Sequence, residues 1–383
     1  MSKIEELIEQ LCPEGVEFRE LGEVCENIVS GKNVRRDESG EFPVYGSTGI
    51  IGHTNIQVYD KECLLIARVG ANAGFVHKGI GKFDVSDNTL IINPKNKYNL
   101  SFAFYQLSFL KLNNLAVGGG QPLITAGLIK KMKIPIPPLA IQQKIVTILD
   151  QFTQLQAELE TELQARRAQY EYYRNKLLNF EGKEVEWKTL GEIGVFVRGN
   201  GLQKKDFTET GVGCIHYGQI YTYYGIHTDK TKSFVSPELA KTLKKVNKND
   251  LIITNTSENV EDVCKTVAWL GDEEIVTGGH ATIFRHNENP KYLAYYTQTS
   301  VFSNEKKKYA AGAKVIDVSA KNLAKIKVPI PPIEEQNRIV AILDKFNKLV
   351  NDKTEGLPAE IQARRQQYEY YRGKLLDFKR ISG

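Results

Sequence analysis

The chain has 383 residues, of which 41% are hydrophobic and 25% are charged, and its formal net charge is +5. This length is too great for one ordinary hydrophobic core and suits two domains with connecting segments. The five cysteines are widely spaced and form no CxxC pair, which argues against a zinc ribbon or a disulfide framework. No apolar run approaches the roughly 18 residues of a membrane span. The mild basic excess is weakly typical of polyanion-binding proteins.

Residues 1–14 form an acidic amphipathic stretch that does not resemble a signal peptide, so the expected location is the cytoplasm. The residues that follow, 16–23 (VEFRELGE), parallel residues 185–192 (VEWKTLGE), and the apolar positions before them also correspond. We therefore predict a helix stub at residues 1–14, equivalent to the end of a longer helix later in the chain.

Residues 15–133 form the first predicted domain. Short apolar runs between Gly-containing turns, such as 63–68 (CLLIAR) and 89–92 (TLII), predict strands, and we expect a mixed α/β fold with long loops. The loops carry positive, amide and hydroxyl side chains, which are the types that hold phosphates and read base edges. The candidate DNA-binding residues of this domain are Lys32, Arg35, Arg36, Ser47, Arg68, Asn72 and Gln121.

Residues 134–183 form the first predicted helical segment. Its Pro-rich start (IPIPP) ends an extended stretch and can begin a helix. Apolar residues then follow in steps of four and three, as in a heptad repeat, with a change of phase at Leu163. We predict one helix from Leu139 to Phe180 that buries this seam in an antiparallel coiled coil. The predicted seam consists of Ile141, Ile145, Ile148, Phe152, Leu155, Leu159, Leu163, Tyr170, Tyr173, Leu177 and Phe180.

Residues 184–327 form the second predicted domain, in which the apolar runs 251–254 and 281–285 predict strands. The segment 216–225 (HYGQIYTYYG) combines hydrogen-bonding and stacking side chains, although it also fits a tyrosine-rich strand packed on one face. The basic run 306–308 is a further candidate for phosphate contacts, although basic loops are more often only solvated. The candidate DNA-binding residues of this domain are Arg198, Lys204, Tyr217, Gln219, Tyr221, Tyr223, Asn255 and Lys314.

Residues 328–383 repeat the first helical segment. VPIPPIEEQNRIVAILDKF (328–346) resembles IPIPPLAIQQKIVTILDQF (134–152), and QARRQQYEYYRGKLLDF (362–378) differs from residues 164–180 at only three positions. The repeating unit is thus a domain followed by a helix, with a partial helix in front. This pattern predicts an α+β molecule in which two mixed α/β domains are joined by two long antiparallel helices. A pseudo-two-fold internal repeat relates its halves, and its two ends meet.

Several residues away from the seam are identical in the two helical segments. A solvated helix face rarely keeps arginines and an aromatic residue unchanged after a duplication, and Arg and Tyr are enriched in binding hot spots. We therefore predict a protein-binding surface that is used twice. The alternative is a recent duplication that has not diverged, which the dissimilar domains disfavour. The candidate partner-binding residues are Arg167, Tyr172, Arg174, Arg365, Tyr370 and Arg372.

The sequence offers no recognisable catalytic constellation. It contains no P-loop, no HExxH motif, no dinucleotide-binding glycine pattern and no Asn-Pro-Pro-aromatic motif of amino-methyltransferases. The six histidines form no cluster with metal-ligand spacing. We therefore predict that the chain is not an enzyme and binds neither a metal nor a cofactor.

Two variable domains, each followed by PIPP and a long helix that ends in QARRxQYEYYRxKLL, resemble the specificity subunit of type I restriction–modification systems. The resemblance covers nearly the whole chain. It implies that each domain is a target recognition domain that reads one half of a bipartite sequence in double-stranded DNA, and that the paired helices act as a spacer. It also implies two modification subunits as partners, which bind S-adenosylmethionine and methylate adenine, and it allows restriction subunits that use ATP and Mg²⁺.

The second helical segment is four residues longer than the first, near residues 354–358. In a continuous helix four residues add about 6 Å, which is close to two base-pair steps of B-DNA. The insertion is therefore a candidate for setting the gap between half-sites. Alternatively, Gly356 and Pro358 break the helix.

Two other functions stay open at this point. One is a scaffold that pairs partner proteins through the duplicated helices and reads no DNA, and sequence-specific DNA binding by the variable domains would distinguish it. The other is a stand-alone enzyme, which the missing motifs disfavour.

Overall fold

A computed structural model describes the chain at residues 2–34, 36–37, 39–118, 120–312 and 314–381. Two compact units divide the chain: unit 1 consists of Met1–Leu159 and Ile361–Gly383, and unit 2 of Glu160–Glu360. Each unit therefore holds one domain, the start of the helical segment that follows this domain, and the end of the other helical segment.

The strands and helices of unit 1 begin with a helix and continue through domain 1 into the first long helix. In chain order they are α1 (Ser2–Leu11), β1 (Phe18–Glu20), α2 (Leu21–Val24), β2 (Cys25–Ser30), β3 (Phe42–Gly46), β4 (Gly49–Thr54), β5 (Tyr59–Asp60), β6 (Cys63–Ala67), β7 (Val76–Gly79), β8 (Lys82–Val85), β9 (Thr89–Pro94), α3 (Leu100–Phe109), α4 (Ala126–Lys130), β10 (Lys133–Pro135) and α5 (Leu139–Leu177), which continues into unit 2.

The elements after α5 form domain 2 and the second helical segment. In chain order they are β11 (Glu186–Thr189), α6 (Leu190–Ile193), β12 (Gly194–Arg198), β13 (Val212–Ile215), α7 (Tyr217–Thr222), β14 (His227–Thr228), β15 (Ser233–Val235), α8 (Pro237–Thr242), β16 (Lys244–Val246), β17 (Leu251–Thr254), β18 (Thr256–Ser257), β19 (Thr266–Trp269), β20 (Ile275–Thr277), β21 (Ala281–His286), α9 (Pro290–Tyr296), α10 (Ser300–Lys307), β22 (Ile316–Asp317), α11 (Ala320–Leu323), β23 (Lys327–Ile330), α12 (Ile333–Asn351) and α13 (Leu357–Leu376), which continues into unit 1.

Domains 1 and 2 share a common core topology, to which domain 2 adds the strand β14, although their sequences look unrelated. Domain 1 has two sheets with strand orders β2-β9-β6-β7 and β4-β3-β8-β5, and domain 2 has β12-β21-β17-β19-β14 and β15-β13-β20-β16. In both domains one strand pair of the second sheet, β3–β8 or β13–β20, is parallel. The expected mixed α/β domains are confirmed, and the repeat extends through them.

The central strands form where the sequence has short continuous apolar runs. All residues of β6 and of β17 are buried, because both faces of these strands are covered and no polar alternation is needed. The strands expected at residues 63–68, 89–92, 251–254 and 281–285 are all present.

The strand before each Pro-rich start pairs with the strand that opens the same domain. In domain 1, β1 pairs with β10, and in domain 2, β11 pairs with β23. The similarity of residues 16–23 to residues 185–192 thus reflects a shared strand followed by a one-turn helix. The two ends of the chain meet within unit 1, where Val16 N donates to Lys379 O (2.9 Å).

A buried glutamine attaches domain 1 to the start of α5. The Oε1 atom of Gln142 accepts from Asn99 N (2.7 Å), and its Nε2 donates to Lys97 O (3.0 Å) and Pro137 O (2.7 Å). Further along α3, Tyr105 donates its hydroxyl proton to Asp150 of α5 (2.6 Å).

The same contacts recur in domain 2. The Oε1 atom of Gln336 accepts from Asn289 N (3.0 Å), and its Nε2 donates to Pro331 O (2.9 Å). Tyr295 donates its hydroxyl proton to Asp344 (2.8 Å). We call these two groups of contacts the domain clamps. The duplicated Gln and Asp positions of the sequence repeat are thus explained by attachment of the domain to its helix.

Within each unit the helix ends pack antiparallel. In unit 1 Phe152 of α5 stacks on Tyr371 of α13, with ring centroids 5.6 Å apart. In unit 2 Tyr173 of α5 stacks in the same way on Phe346 of α12, at 5.5 Å. The antiparallel coiled coil is confirmed. One residue of the predicted seam is wrong, because Leu155 is exposed, and fully buried Leu149 was missed.

The second helical segment is interrupted where the four extra residues lie. Asp352 Oδ1 accepts hydrogen bonds from Thr354 N (2.7 Å) and Glu355 N (3.2 Å), which closes a turn between α12 and α13. Gly356 lies so close to this turn that a Cβ there would be 2.5 Å from Lys348 O. Helices α12 and α13 have 19 and 20 residues, together as many as the 39 of α5. The expected continuous 6 Å extension is therefore wrong, and the break is correct.

Candidate nucleic-acid interface

Loops from both sheets of domain 1 meet at one end of the domain. Arg68 N and the Ser47 hydroxyl both donate to Asn88 O, each at 3.0 Å. Gly70 N donates to Pro122 O, also at 3.0 Å. These bonds hold together what we call loop cluster 1, the described part of residues 31–41, 47–48, 68–75, 86–88 and 116–125.

Domain 2 assembles an equivalent group of loops. Asn255 N donates to His280 O, and Val318 N donates to Asn255 O, each at 2.9 Å. The ring of Tyr217 lies 4.8 Å from that of His280. We call this group loop cluster 2, the described part of residues 199–211, 216–218, 255–265, 278–280 and 308–319.

The two loop clusters correspond where their loops join the strands, because strand register and backbone hydrogen bonds match at these positions. Arg68 N donates to Asn88 O just before β9, and Asn255 N donates to His280 O just before β21. In turn, Arg68 O accepts from Ile124 N, and Asn255 O accepts from Val318 N. Equivalent pairs carry different side chains. They are Ser30 and Arg198, Ser47 and Tyr217, Arg68 and Asn255, Asn88 and His280, and Ile124 and Val318.

A glycine begins the first loop of each cluster for one steric reason. A Cβ on Gly31 would lie 2.3 Å from Ser86 O, and a Cβ on Gly199 would lie 2.1 Å from Gly278 O. No side chain fits at such distances, so glycine lets the loop pass against the neighbouring turn. The glycines after Ser30 and after Arg198 in the sequence are the signal of this shared backbone path.

Loop cluster 1 contains the described DNA-binding candidates of domain 1. Lys32, Arg36, Asn72 and Gln121 are exposed, whereas Ser47 and Arg68 are half-buried. Arg35 lies outside the described residues. The cluster thus presents cationic, amide and hydroxyl groups at one end of the domain, which is the mixture that phosphate binding and base readout need.

In loop cluster 2, Tyr217 lines an open cleft of about 360 Å³ together with His216, His280 and Lys204. Burial, and next the nearby Lys204 and His280, lower the pKa of His216. Its Nδ1 accepts from Gly218 N (3.1 Å), which fixes the ring. The cleft therefore combines an aromatic face, two imidazole rings and a cation. Neither histidine was named as a site residue from the sequence, although His216 opens the segment 216–225, because the contacts of both rings with Tyr217 follow from the fold.

The cationic candidates of domain 2 lie in loop cluster 2 or, for Arg198, directly before it at the end of β12. Arg198, Lys204 and Lys314 are exposed. Lys306 was also considered for phosphate contacts, but it is 4% exposed. Its Nζ donates to Glu261 O (2.6 Å) and Val263 O (2.7 Å), so it holds the loop before β19 from beneath.

Two candidates of domain 2 are corrected because their polar groups bond within the fold. Asn255 is fully buried, donates to Val318 O (2.9 Å) and accepts from the Thr282 hydroxyl (2.7 Å). Tyr221 is half-buried and donates its hydroxyl proton to Thr256 O (2.8 Å). Both side chains stabilise the domain and are not on the candidate DNA-binding surface.

The tyrosine-rich segment is a short helix, α7, and not a strand. Gln219 accepts from His216 N (3.1 Å) in a capping box and donates to Ser233 Oγ (2.6 Å), so it too has a structural role. Tyr223 is 57% exposed but lies outside loop cluster 2, and Lys232 Nζ lies 4.6 Å from its ring centroid. Of the four candidates in this segment, Tyr217 alone belongs to the candidate interface.

The structure also divides the partner-binding candidates. The guanidinium of Arg174 lies 5.4 Å from the Tyr170 ring, and its Nη1 donates to Gln298 of domain 2 (3.4 Å). Arg372 lies equally far from the Tyr368 ring and 6.0 Å from Phe109 of domain 1. These two arginines pack the helix ends onto the domains, which corrects their assignment to a partner surface.

The two tyrosines between these arginines remain on the surface. Tyr172 is 59% exposed and Tyr370 is 57% exposed. Lys176 Nζ lies 5.5 Å from the Tyr172 ring, and Lys374 Nζ lies 5.1 Å from the Tyr370 ring. Two identical exposed Tyr–Lys pairs therefore occur, one in each unit. Arg167 and Arg365 are also exposed.

In the described part of the chain no group of three or more His, Cys, Asp or Glu side chains could hold a metal ion. None of the described helices is long and apolar enough to cross a membrane.

A family model of the type I restriction modification DNA specificity domain matches the chain twice, at residues 13–166 and 182–363. The chain belongs to the type I restriction–modification specificity family. A putative type I restriction enzyme specificity subunit from Haemophilus influenzae is 31% identical over 95% of this chain and 96% of its own length. The EcoR124I/EcoR124II specificity subunit from Escherichia coli is 35% identical over 74% of this chain and 72% of its own length.

A solved structure supports the fold of this family member. The type I restriction-modification system S subunit from M. genitalium matches with a TM-score of 0.58 at 16% identity, over 94% of this chain and 96% of its own. At this identity the similarity concerns the fold, and it supports two mixed α/β domains with long helices.

Proposed function

We propose that this specificity subunit reads a bipartite site in double-stranded DNA, with loop cluster 1 on one half and loop cluster 2 on the other. The observation that carries the proposal is the correspondence of the two clusters. The backbone positions and hydrogen bonds where the loops join the strands are equivalent, whereas the side chains at these positions differ. Because side chains at the groove edge select the bases, equal frameworks with different side chains suit two different sequences.

The two clusters offer different chemistry to base edges. In loop cluster 1, Ser47, Asn72 and Gln121 supply hydroxyl and amide groups, and Lys32 and Arg36 supply cations for phosphates. In loop cluster 2, Tyr217 supplies a flat ring and a hydroxyl group, and Lys204 supplies a cation beside it. This difference supports the reading of unlike half-sites.

We further propose that the chain has no catalytic activity and recruits two modification subunits through its two Tyr–Lys pairs. Identical exposed pairs suit two copies of one partner, since Tyr is enriched in binding hot spots. In this proposal S-adenosylmethionine, and ATP and Mg²⁺ where restriction subunits join, bind only to the partner subunits. The paired helical segments serve as the spacer between the half-sites.

The replacement Tyr217→Ala in the complex with the modification subunit tests DNA reading by loop cluster 2. We expect about tenfold weaker binding to the recognised duplex, because one base-edge contact contributes about 1–3 kcal/mol. Tyr223→Ala, which removes a more exposed tyrosine outside the cluster, is the control and should bind like the wild type. Equal affinities of the Tyr217 variant and the wild type would contradict the proposal.

A further inference from the structure

The ends of the two strands that flank β9 in domain 1 and β21 in domain 2 occupy equivalent places. Ser30 ends β2 opposite Leu90, and Arg198 ends β12 opposite Thr282. The residues that follow β6 and β17 are Arg68 and Asn255, whose backbone hydrogen bonds are the same in both domains. Domain 1 therefore has its arginine after the strand on one side of β9, and domain 2 has its arginine at the end of the strand on the opposite side of β21.

Both arginines nevertheless reach the same backbone position. In domain 1 Arg68 Nη1 donates to Asp87 O (3.0 Å) and to Ser30 Oγ (2.9 Å). In domain 2 Arg198 Nε donates to Gly279 O (3.3 Å). Asp87 and Gly279 are equivalent, because each is the second residue before β9 or β21. One guanidinium is thus anchored to the same turn carbonyl in both domains.

The neighbouring residues explain how the arginine can come from either strand. The Thr282 hydroxyl donates to Asn255 Oδ1, and this bond holds the Asn255 side chain inside domain 2. Asn255 occupies the position that Arg68 occupies in domain 1. The equivalent of Thr282 in domain 1 is Leu90, which offers no hydrogen bond and leaves the position to an arginine. Three linked positions therefore change together, and the place of the guanidinium is kept.

Both domains place a guanidinium at this site, whereas their other loop side chains differ. A group that is shared in this way suits the phosphate backbone of DNA, which is the same for every sequence. We propose that Arg68 and Arg198 occupy one equivalent site that binds a backbone phosphate of each half-site. This inference rests on the proposed function and deepens it. A guanidinium has five N–H donors in a planar fork, so the bond to the turn carbonyl leaves donors for a phosphate.

The test uses the full-length chain in complex with the modification subunit and a labelled random-sequence duplex. Arg198→Ser should weaken binding about tenfold and lower the slope of log affinity against log salt by about 0.9, the loss of one phosphate contact. A binding selection from a randomised DNA library should return the wild-type motif. Lys327→Ser, which removes an exposed cation at the other end of domain 2, should change neither quantity.

A transplant tests the equivalence of the two sites. The triple variant Arg198→Ser, Asn255→Arg, Thr282→Leu gives domain 2 the arrangement of domain 1 and should restore affinity and salt slope. The reverse transplant in domain 1, with the three substitutions Ser30→Arg, Arg68→Asn and Leu90→Thr, gives the same test if the first variant does not fold.

Each other outcome overturns a defined part of the proposal. If Arg198→Ser changes the selected motif, Arg198 contacts a base, and the proposal that it binds a phosphate is rejected. A folded transplant that does not restore binding rejects the shared site, and unchanged binding of Arg198→Ser rejects both. Failure of the proposed function is seen separately, because the wild-type complex would then select no motif from the library.

Discussion

In domain 1 the loop between β6 and β7 carries Arg68 and Asn72 and no acidic residue, whereas the equivalent loop of domain 2 carries Glu258, Glu261 and Asp262. The strands that hold these loops are equivalent in order and direction. The duplication has therefore kept the framework of each domain and changed the side chains at its tip. Framework and loop chemistry are therefore separate in this fold, since the loop side chains differ while the order and direction of the strands beneath them are kept.

The domain clamps belong to the part that is kept, and breaking them should have the largest effect. Gln142→Ala leaves Asn99 N and the carbonyls of Lys97 and Pro137 without their partner, so we expect unit 1 to lose about 3–5 kcal/mol of unfolding free energy. Gln336→Ala should cost unit 2 about 1 kcal/mol less, because its third partner is the Glu288 carboxylate, which can turn to water.

Urea unfolding followed by hydrogen exchange in each unit measures both losses. Gln143→Ala, an exposed neighbour on α5, is the control and should cost less than about 0.5 kcal/mol. If both glutamine variants were as stable as this control, the clamps would not attach the domains.

Lowering the pH should destabilise unit 2 more than unit 1, by less than the loss of a domain clamp. Burial lowers the pKa of His286 in domain 2 to about 4, whereas Pro94 occupies the equivalent place in domain 1. The unfolded chain takes up a proton near pH 6.5 and the folded one only near pH 4. Unit 2 is therefore stabilised above pH 6.5 and loses up to about 3 kcal/mol as pH falls from 6.5 to 4.

Hydrogen exchange across this pH range should show unit 2 opening before unit 1. Burial also lowers the pKa of His77 in domain 1 and of His216 and His227 in domain 2. Domain 2 therefore has three such histidines and domain 1 has one, so all of them together also make unit 2 the more acid-sensitive unit. His286→Phe should flatten the pH dependence of unit 2. An unchanged dependence would refute the assignment to His286.

The two Tyr–Lys pairs offer the smallest expected effect, and here the two units should behave alike. Tyr172→Ala and Tyr370→Ala should each weaken capture of one modification subunit about tenfold, because each removes one exposed hot-spot side chain. Native mass spectrometry should show one partner bound to either single variant and none to the double variant at matched concentration. The control variant Tyr223→Ala should still bind two modification subunits. If the double variant also binds two, the Tyr–Lys pairs are not the partner-binding surface.

The sequence predicts most of the framework, because repeats and apolar runs are local signals. The two Pro-rich helix starts, the heptad seam and the buried runs of β6 and β17 all follow from residues that are close in the sequence. The break at Gly356 could be foreseen only as an alternative, since glycine and proline permit a turn without requiring one.

The candidate site could be predicted only in part, because the roles of polar side chains depend on distant partners. Asn255 looks like an exposed loop amide until Val318 and Thr282 are placed around it. Arg174 and Arg372 look like surface residues until domain residues far away in the sequence pack on them. Loop residues without such partners, among them Asn72 and Lys204, stay candidates.

The central claim is that the two domains read two different half-sites. Sequencing adenine methylation in a host that carries this chain and its modification subunit, compared with a host that lacks this chain, tests it most directly. The account predicts a bipartite motif with two unlike halves and a fixed gap, of which Tyr217→Ala alters one half only. A contiguous motif, or a change in both halves with Tyr217→Ala, would contradict it.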